Sequence, residues 1–297
     1  MRLEKKATVV STSTAALLVI IKMTVGIFSG SIAVMASAID SFLDLIISLF
    51  NYFALNSAEK DPDDKFHFGR GKIEPMAAVM EGIVISFSAF FILFQALSKF
   101  IDHEPMSGVN ESIIVMVVSF VITAFLVIFL NNVAKKTGNM VIKADALHYK
   151  TDLLSNGAIL FALGVIAYTG EYLIDPILGI LIGLYMIYSS VPIIKEGVLM
   201  LLDAALTQEQ MQDIVNILES EKAIVAFHDL RTRESGSHIF ISFHAVFNIS
   251  ISLYDAHAIS DKVEAKLRAL FEDKKVHILI HMDPYDDSEI NEVEDLY

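Results

Sequence analysis

Residues 31–56 read SIAVMASAIDSFLDLIISLFNYFALN, and residues 141–169 read VIKADALHYKTDLLSNGAILFALGVIAYT. Each run is long enough for a helix to cross about 30 Å of hydrocarbon. Yet each carries two ionisable side chains four residues apart, Asp40 with Asp44 and His148 with Asp152. Helical residues at i and i+4 share a face, so each pair aims two potential metal ligands the same way at membrane depth. A carboxylate at mid-bilayer costs roughly 2.5–3.5 kcal/mol, so three together cost about 8–10 kcal/mol. That rivals a whole domain's stability of about 5–15 kcal/mol. Groups so unfavourable in lipid mark ion pathways, and three carboxylates with one imidazole make a four-ligand shell for a transported divalent metal.

The rest of the composition fits a membrane domain followed by a soluble one. The chain has 297 residues, is 54% hydrophobic and carries a net charge of −14. From Ala204 onward 18 acidic residues face 8 basic ones, so most of the negative charge lies in the C-terminal part. An acidic tail disfavours nucleic acid and suits cations. There is no cysteine, which excludes disulfides and thiolate ligation; any metal must be held by oxygen and imidazole.

Six stretches reach spanning length, at about 8–29, 32–56, 75–99, 111–135, 142–169 and 176–201. The first is too long, and lacks a small-residue cleavage site, for a removed signal peptide. Arg2, Lys5 and Lys6 precede span one, Lys60, Lys65, Arg70 and Lys72 join spans two and three, and Lys135, Lys136 and Lys143 join spans four and five. The opposite loops carry only Lys99. The positive-inside rule then puts both termini in the cytoplasm, and the short links at 29–31 and 170–175 make hairpins of their neighbours. Lys22 and Lys150 read as snorkelling side chains.

After Leu202 the periodicity becomes that of a soluble α-β-β-α-β unit, with helices at 207–220 and 253–271 and strands at 224–233, 238–247 and 276–283. Gly236 supplies the hairpin turn. The expected domains are residues 1–204 and 205–285, with 286–297 an acidic, disordered end. Six of the nine histidines fall in this part. Strand alternation puts His277, His281 and Asp283 on one face of the last strand, and His238 and His244 on one face of the middle strand. His228 and His257 come from the first strand and the second helix. A metal cluster and a scatter of surface histidines are equally open readings of the set. Asp145, three residues before His148, is either a carboxylate behind the imidazole or an acid at the start of its helix.

These paired motifs, together with FGRGKIEP at 68–75, HDLRTRESG at 228–236 and IHMDP at 280–284, resemble the cation diffusion facilitator family over nearly the whole chain. The resemblance is closest to its bacterial zinc and iron exporters. It implies a homodimeric metal–proton antiporter of the inner membrane, with six transmembrane helices and a cytoplasmic ferredoxin-like, metallochaperone-like α+β domain. It assigns Asp40, Asp44, His148 and Asp152 to the transport site, and His228, His244, His257, His281 and Asp283 to a two-metal cytoplasmic cluster. Lys72 and Asp203 match a charge interlock of the dimer. An additional loop site would use Asp63 and His67, but Phe66 and Arg70 stand where this family's exporters carry histidines, and Arg70 repels a cation there.

Oxygen and imidazole donors suit Zn²⁺, with Cd²⁺, Fe²⁺ and Mn²⁺ as competitors. Three aspartates and a neutral His148 around M²⁺ leave about one negative charge, and the empty site needs protons instead. The reading is therefore proton-coupled efflux of Zn²⁺ or Cd²⁺, with Fe²⁺ or Mn²⁺ as the alternative cargo. Two rivals lie outside transport. A membrane metalloenzyme is disfavoured because four protein ligands leave no open position for catalysis. A metal-stabilised assembly protein would show no flux.

Overall fold

The structure is a computed structural model and describes residues 3–29, 32–102, 113–169 and 173–288. In chain order its elements are α1 (Leu3–Ser29), α2 (Ile32–Ala58), α3 (Ile73–Asp102), α4 (Ile113–Thr137), α5 (Met140–Thr169), α6 (Ile174–Leu201), α7 (Gln208–Ser220), β1 (Ile224–Ser235), β2 (His238–Phe247), α8 (Leu253–Leu270) and β3 (Lys275–Asp283). Six long helices precede an α-β-β-α-β unit, as the periodicity requires. Arg2, the links at 30–31 and 170–172 and the acidic end from residue 289 lie outside the described residues. Two compact units divide between Val198 and Leu199, inside α6.

In the first unit α1, α2, α3, α4 and α6 are long and apolar enough to cross a membrane. Helix α5 has 30 residues, about 45 Å at 1.5 Å per residue, but Lys143, Asp145, His148, Lys150 and Asp152 crowd its first half. The helix that carries half the proposed ligands is thus the one whose composition departs from a lipid-facing span. Phe87, Phe90, Phe91 and Phe94 of α3 and Phe125 of α4 remain largely exposed, an apolar outer surface that lipid tolerates and water does not.

Inside this unit α1, α4 and α5 share a core of Ala7, Leu126, Leu130, Val133, Ile142, Ala146 and Tyr149. Helices α3 and α6 meet through small residues. A Cβ added at Gly183 would lie 2.6 Å from Leu93 Cγ, and one at Gly179 would lie 2.9 Å from Ala96. Small residues four apart let helix backbones approach in lipid, where packing replaces hydrophobic drive. Across the same seam the hydroxyls of Ser86 and Ser190 lie 2.9 Å apart.

In the second unit Thr207 starts α7 with a reciprocal capping box to Gln210. The sheet order is β1-β2-β3, antiparallel between β1 and β2 and parallel between β2 and β3. Ser235 pairs with His238, which leaves Gly236 and Ser237 as a two-residue turn, with Gly236 at φ 59; such turns demand positive φ. Ile239, Ile241, Phe243, Ala245 and Phe247 alternate onto one face of β2 and pack on Ile214 and Leu218 of α7 and Val263 and Leu267 of α8. The opposite face is left to His244, His277, His281 and Asp283. There the register sets His228 beside His244 and His244 beside His281.

Candidate metal centres

Helices α2 and α5 bring three of the four expected membrane ligands together. His148 Nε2 lies 3.2 Å from Asp44 Oδ1 and 3.6 Å from Asp152 Oδ2, and the three donor atoms fall within 4.8 Å of one another. Two donors held at about 2.1 Å by one tetrahedral ion stand about 3.4 Å apart, so the spacing suits a shared ion. Asp152 Oδ2 is buried and has no hydrogen-bond partner. Asp40, one turn before Asp44 on α2, is exposed and stands outside this group.

One side chain near the group differs from its sequence reading. Lys22 does not snorkel: it is buried, and its ammonium donates to Ser41 Oγ at 2.7 Å and to the Ser37 carbonyl at 3.4 Å. Close packing of α1 on α2 supplies those acceptors, and Ser41 stands between the two aspartates of the α2 motif. Lys150 lies over the ring of Tyr185, 5.2 Å from its centroid, a cation–π contact.

Below the group, toward the basic loops, lies a polar layer that sequence reasoning missed. Asn51 Nδ2 donates to Glu81 Oε2 at 3.0 Å and to Asp145 Oδ1 at 3.5 Å, tying α2, α3 and α5 together. All three residues are buried. Glu81 Oε1, Asp145 Oδ2 and Asn51 Oδ1 have no partner. The hydroxyls of Ser48 and Tyr149, 2.8 Å apart, cross the same level between α2 and α5. Asp145 thus pairs with Asn51. The signal for Glu81 was available, since an ionisable residue inside the third apolar run falls under the same membrane rule that singled out the aspartates.

The loop between α2 and α3 gives Asp63 another role. Its carboxylate accepts the N–H groups of Phe66 at 2.9 Å and Lys65 at 3.0 Å and pairs with Arg70 at 2.5 Å. The Phe66 and Lys65 amides, with Arg70 adding to them, hold the Asp63 carboxyl below the usual carboxylate range. Arg70 also stacks on Phe66, 4.4 Å from its centroid. His67 is exposed, and among the described residues Asp63 and His67 belong to no group of metal-ligand geometry. Lys72 sits half-buried just before α3. In the second unit Asp203, at φ 58, lies 3.1 Å from Arg233.

The second unit holds a further centre on the open face of its sheet. Asp283 Oδ2 lies 2.9 Å from His244 Nδ1 and 3.6 Å from His228 Nε2, while its Oδ1 lies 3.2 Å from His281 Nε2. One carboxylate thus faces three imidazoles, the arrangement of a bridging ligand. A bulge follows His228, with Asp229 at φ 50, and bulges re-aim side chains beside sites. His257 stays exposed, its near neighbour being Asp261 on its own helix at 3.9 Å. An unexpected member is Asp287, whose Oδ1 lies 3.1 Å from His228 Nε2. At the other end of the sheet His238 Nδ1 and His277 Nε2 stand 2.9 Å apart with nearly parallel rings. Burial, with Arg268 and Lys275 nearby, holds His277 below the usual histidine value.

Residues 8–202 match the family described as cation efflux transmembrane domain, and residues 206–285 match the cation efflux protein, cytoplasmic domain. Cation-efflux pumps FieF of Escherichia coli strains K12 / DH10B and O157:H7 EC4115 are each 36% identical over 283 residues, covering 95% of this chain and 93% of theirs.

Proposed function

The chain belongs to the cation diffusion facilitator family, and we propose that it exports Zn²⁺, with Cd²⁺ as a second cargo, across the bacterial cytoplasmic membrane in exchange for protons. It is a multi-pass membrane transporter of divalent metal cations, not an enzyme, and its soluble unit is of a dimerising kind. The observation that carries the finer reading is the convergence of Asp44, His148 and Asp152 within 4.8 Å.

Cargo enters between α2 and α5 and meets an imidazole and two carboxylates, which favour Zn²⁺ over harder ions. Asp40 completes the shell when its helix turn closes on the ion. Protons take the cation's place on the way back, because three carboxylates in lipid without a counter-charge are strongly disfavoured. Lys22, held by Ser41 between the two aspartates of the α2 motif, stands near them. Both termini lie in the cytoplasm, Lys72 and Asp203 lock two copies near the membrane surface, and the sheet cluster steadies that dimer. Fe²⁺ and Mn²⁺ are the alternative cargoes for the same ligand set.

The test is flux into proteoliposomes that enclose a metal-sensitive dye, under an imposed pH gradient, for Zn²⁺, Cd²⁺, Fe²⁺ and Mn²⁺ in turn. Zn²⁺ flux that follows the gradient and vanishes in Asp152→Ala is the expected result. Flux indifferent to the gradient removes antiport, and flux retained in the variant removes the site.

A further inference from the structure

We infer that Asp287 is a metal ligand, closing a four-donor His₂Asp₂ site with His228, His244 and Asp283 inside a single chain. The inference rests on reading the soluble unit as metal-binding and adds a donor from the segment beyond the last strand. One donor atom from each of the four residues lies within 4.8 Å of all the others.

The contact between His228 and Asp287 is the central observation. His228 Nε2 and Asp287 Oδ1 stand 3.1 Å apart. Both atoms are buried, and neither has a hydrogen-bond partner. A nitrogen and an oxygen so close, out of water and without hydrogen-bond geometry, form an ion pair when His228 is protonated and, with a neutral imidazole, have the spacing of two ligands on one ion. Bonds of about 2.0–2.1 Å from a Zn²⁺ to each span that separation at an angle near that of a tetrahedron. Left without an ion, buried polar atoms that make no hydrogen bond are destabilising.

Local chain geometry explains how the segment reaches the site. Pro284 cannot extend the strand ladder. Two residues later Asp286 Oδ1 accepts the Ser288 N–H at 3.1 Å. That side-chain turn brackets Asp287 and directs it back over the sheet.

The donor set defines the ligand class. Two imidazoles and two carboxylates neutralise a divalent ion and fill a tetrahedron, which is the composition of a closed, structural Zn²⁺ site with no position left for exchange. His281 stays on the other oxygen of Asp283, so Asp283 can bridge to a second ion while the first needs nothing from another copy. Loading then fastens the segment after β3 to the sheet.

The experiment uses the full chain in detergent micelles with Asp152→Ala as background, so that the membrane site does not contribute. Zn²⁺ affinity is measured by competition with a chelating dye, and the d–d spectrum of bound Co²⁺ reports coordination. Asp287→Ala should weaken Zn²⁺ binding by at least about tenfold, the lower end of the loss seen even for residues that merely support a ligand. It should also reduce the tetrahedral Co²⁺ bands and the Zn²⁺-dependent protection of the C-terminal segment from protease. Asp287→His, which keeps a donor, should restore all three. Affinity within twofold of the background protein, with an unchanged Co²⁺ spectrum, overturns the assignment of Asp287. Absence of metal at the soluble unit in the background protein itself overturns instead the reading on which the assignment rests.

Discussion

The helix site and the sheet site use the same chemistry, imidazole with carboxylate, on two different scaffolds. Asp44 sits on one helix and His148 and Asp152 on another, so a relative shift of the two alters both distances from Asp44, and Asp40 remains outside the group. His228, His244 and Asp283 sit on three hydrogen-bonded strands whose register fixes their rows. A site that must load and release its ion gains from ligands on separable elements. One that only holds gains from a ladder, because moving one strand breaks many bonds at once. The scaffold, more than the donor set, separates cargo from staple.

Four measurements would break or sharpen that contrast. The largest effect is expected at the buried layer below the helix site. Asn51→Leu removes the shared donor of Glu81 and Asp145 and should cost about 2–6 kcal/mol, since each buried polar group left without its partner costs about 1–3 kcal/mol. Thermal unfolding in detergent should fall accordingly while Zn²⁺ binding to the soluble unit persists. A drop in both would mean that the two sites are not independent.

Next comes cargo choice. His148→Asp hardens the membrane site and should lower Zn²⁺ flux by about 100-fold, the upper end of losses from disturbed ligand shells, while Mn²⁺ flux is kept. Equal loss for both ions would deny His148 its part in selection.

Asp283→Asn should then remove the stabilisation that Zn²⁺ gives the soluble unit, about 2.7 kcal/mol at a hundredfold excess over Kd, and leave dye-reported flux at a reduced but measurable rate. Abolished flux would make the sheet site part of the transport cycle. The smallest effect concerns pH. Because His277 titrates below its usual 6.5 in the folded unit, the unfolded chain binds that proton first as pH falls. The associated stability is therefore full above about pH 6.5 and is lost as pH drops from there through the folded value. Melting curves at pH 5 and 7 should diverge less in His277→Phe, and identical divergence would place the slope elsewhere.

The sequence carried the helices, the succession of elements along the chain and the paired motifs, because each rests on local periodicity. The faces of β2 and β3 followed from alternation alone, down to the row containing His281 and Asp283. What escaped depends on long-range partners. The Asn51 amide meets residues 30 and 94 positions away, and no periodicity connects them. Lys22 was misread because snorkelling is the default for a lone lysine, whereas acceptors on α2 hold it inside. Asp287 was assigned to an acidic, frayed end. It lies beyond Pro284, where neither the strand nor a helix continues, and only the turn at Asp286 turns it inward. The single chain also leaves His257 apart from the cluster, a position that local pattern did not distinguish.

The parallel pairing of β2 with β3 has one further consequence. His244 stands opposite His281 and Val246 opposite Asp283, and a slip of one residue would exchange the two faces of β3. Ile278, Ile280 and Met282 would then face outward, and the ligands would point into the core. A cation that binds only the properly zipped sheet draws the population toward it by mass action. If the sheet cluster holds a metal as proposed, free ion would favour the aligned sheet over the slipped one.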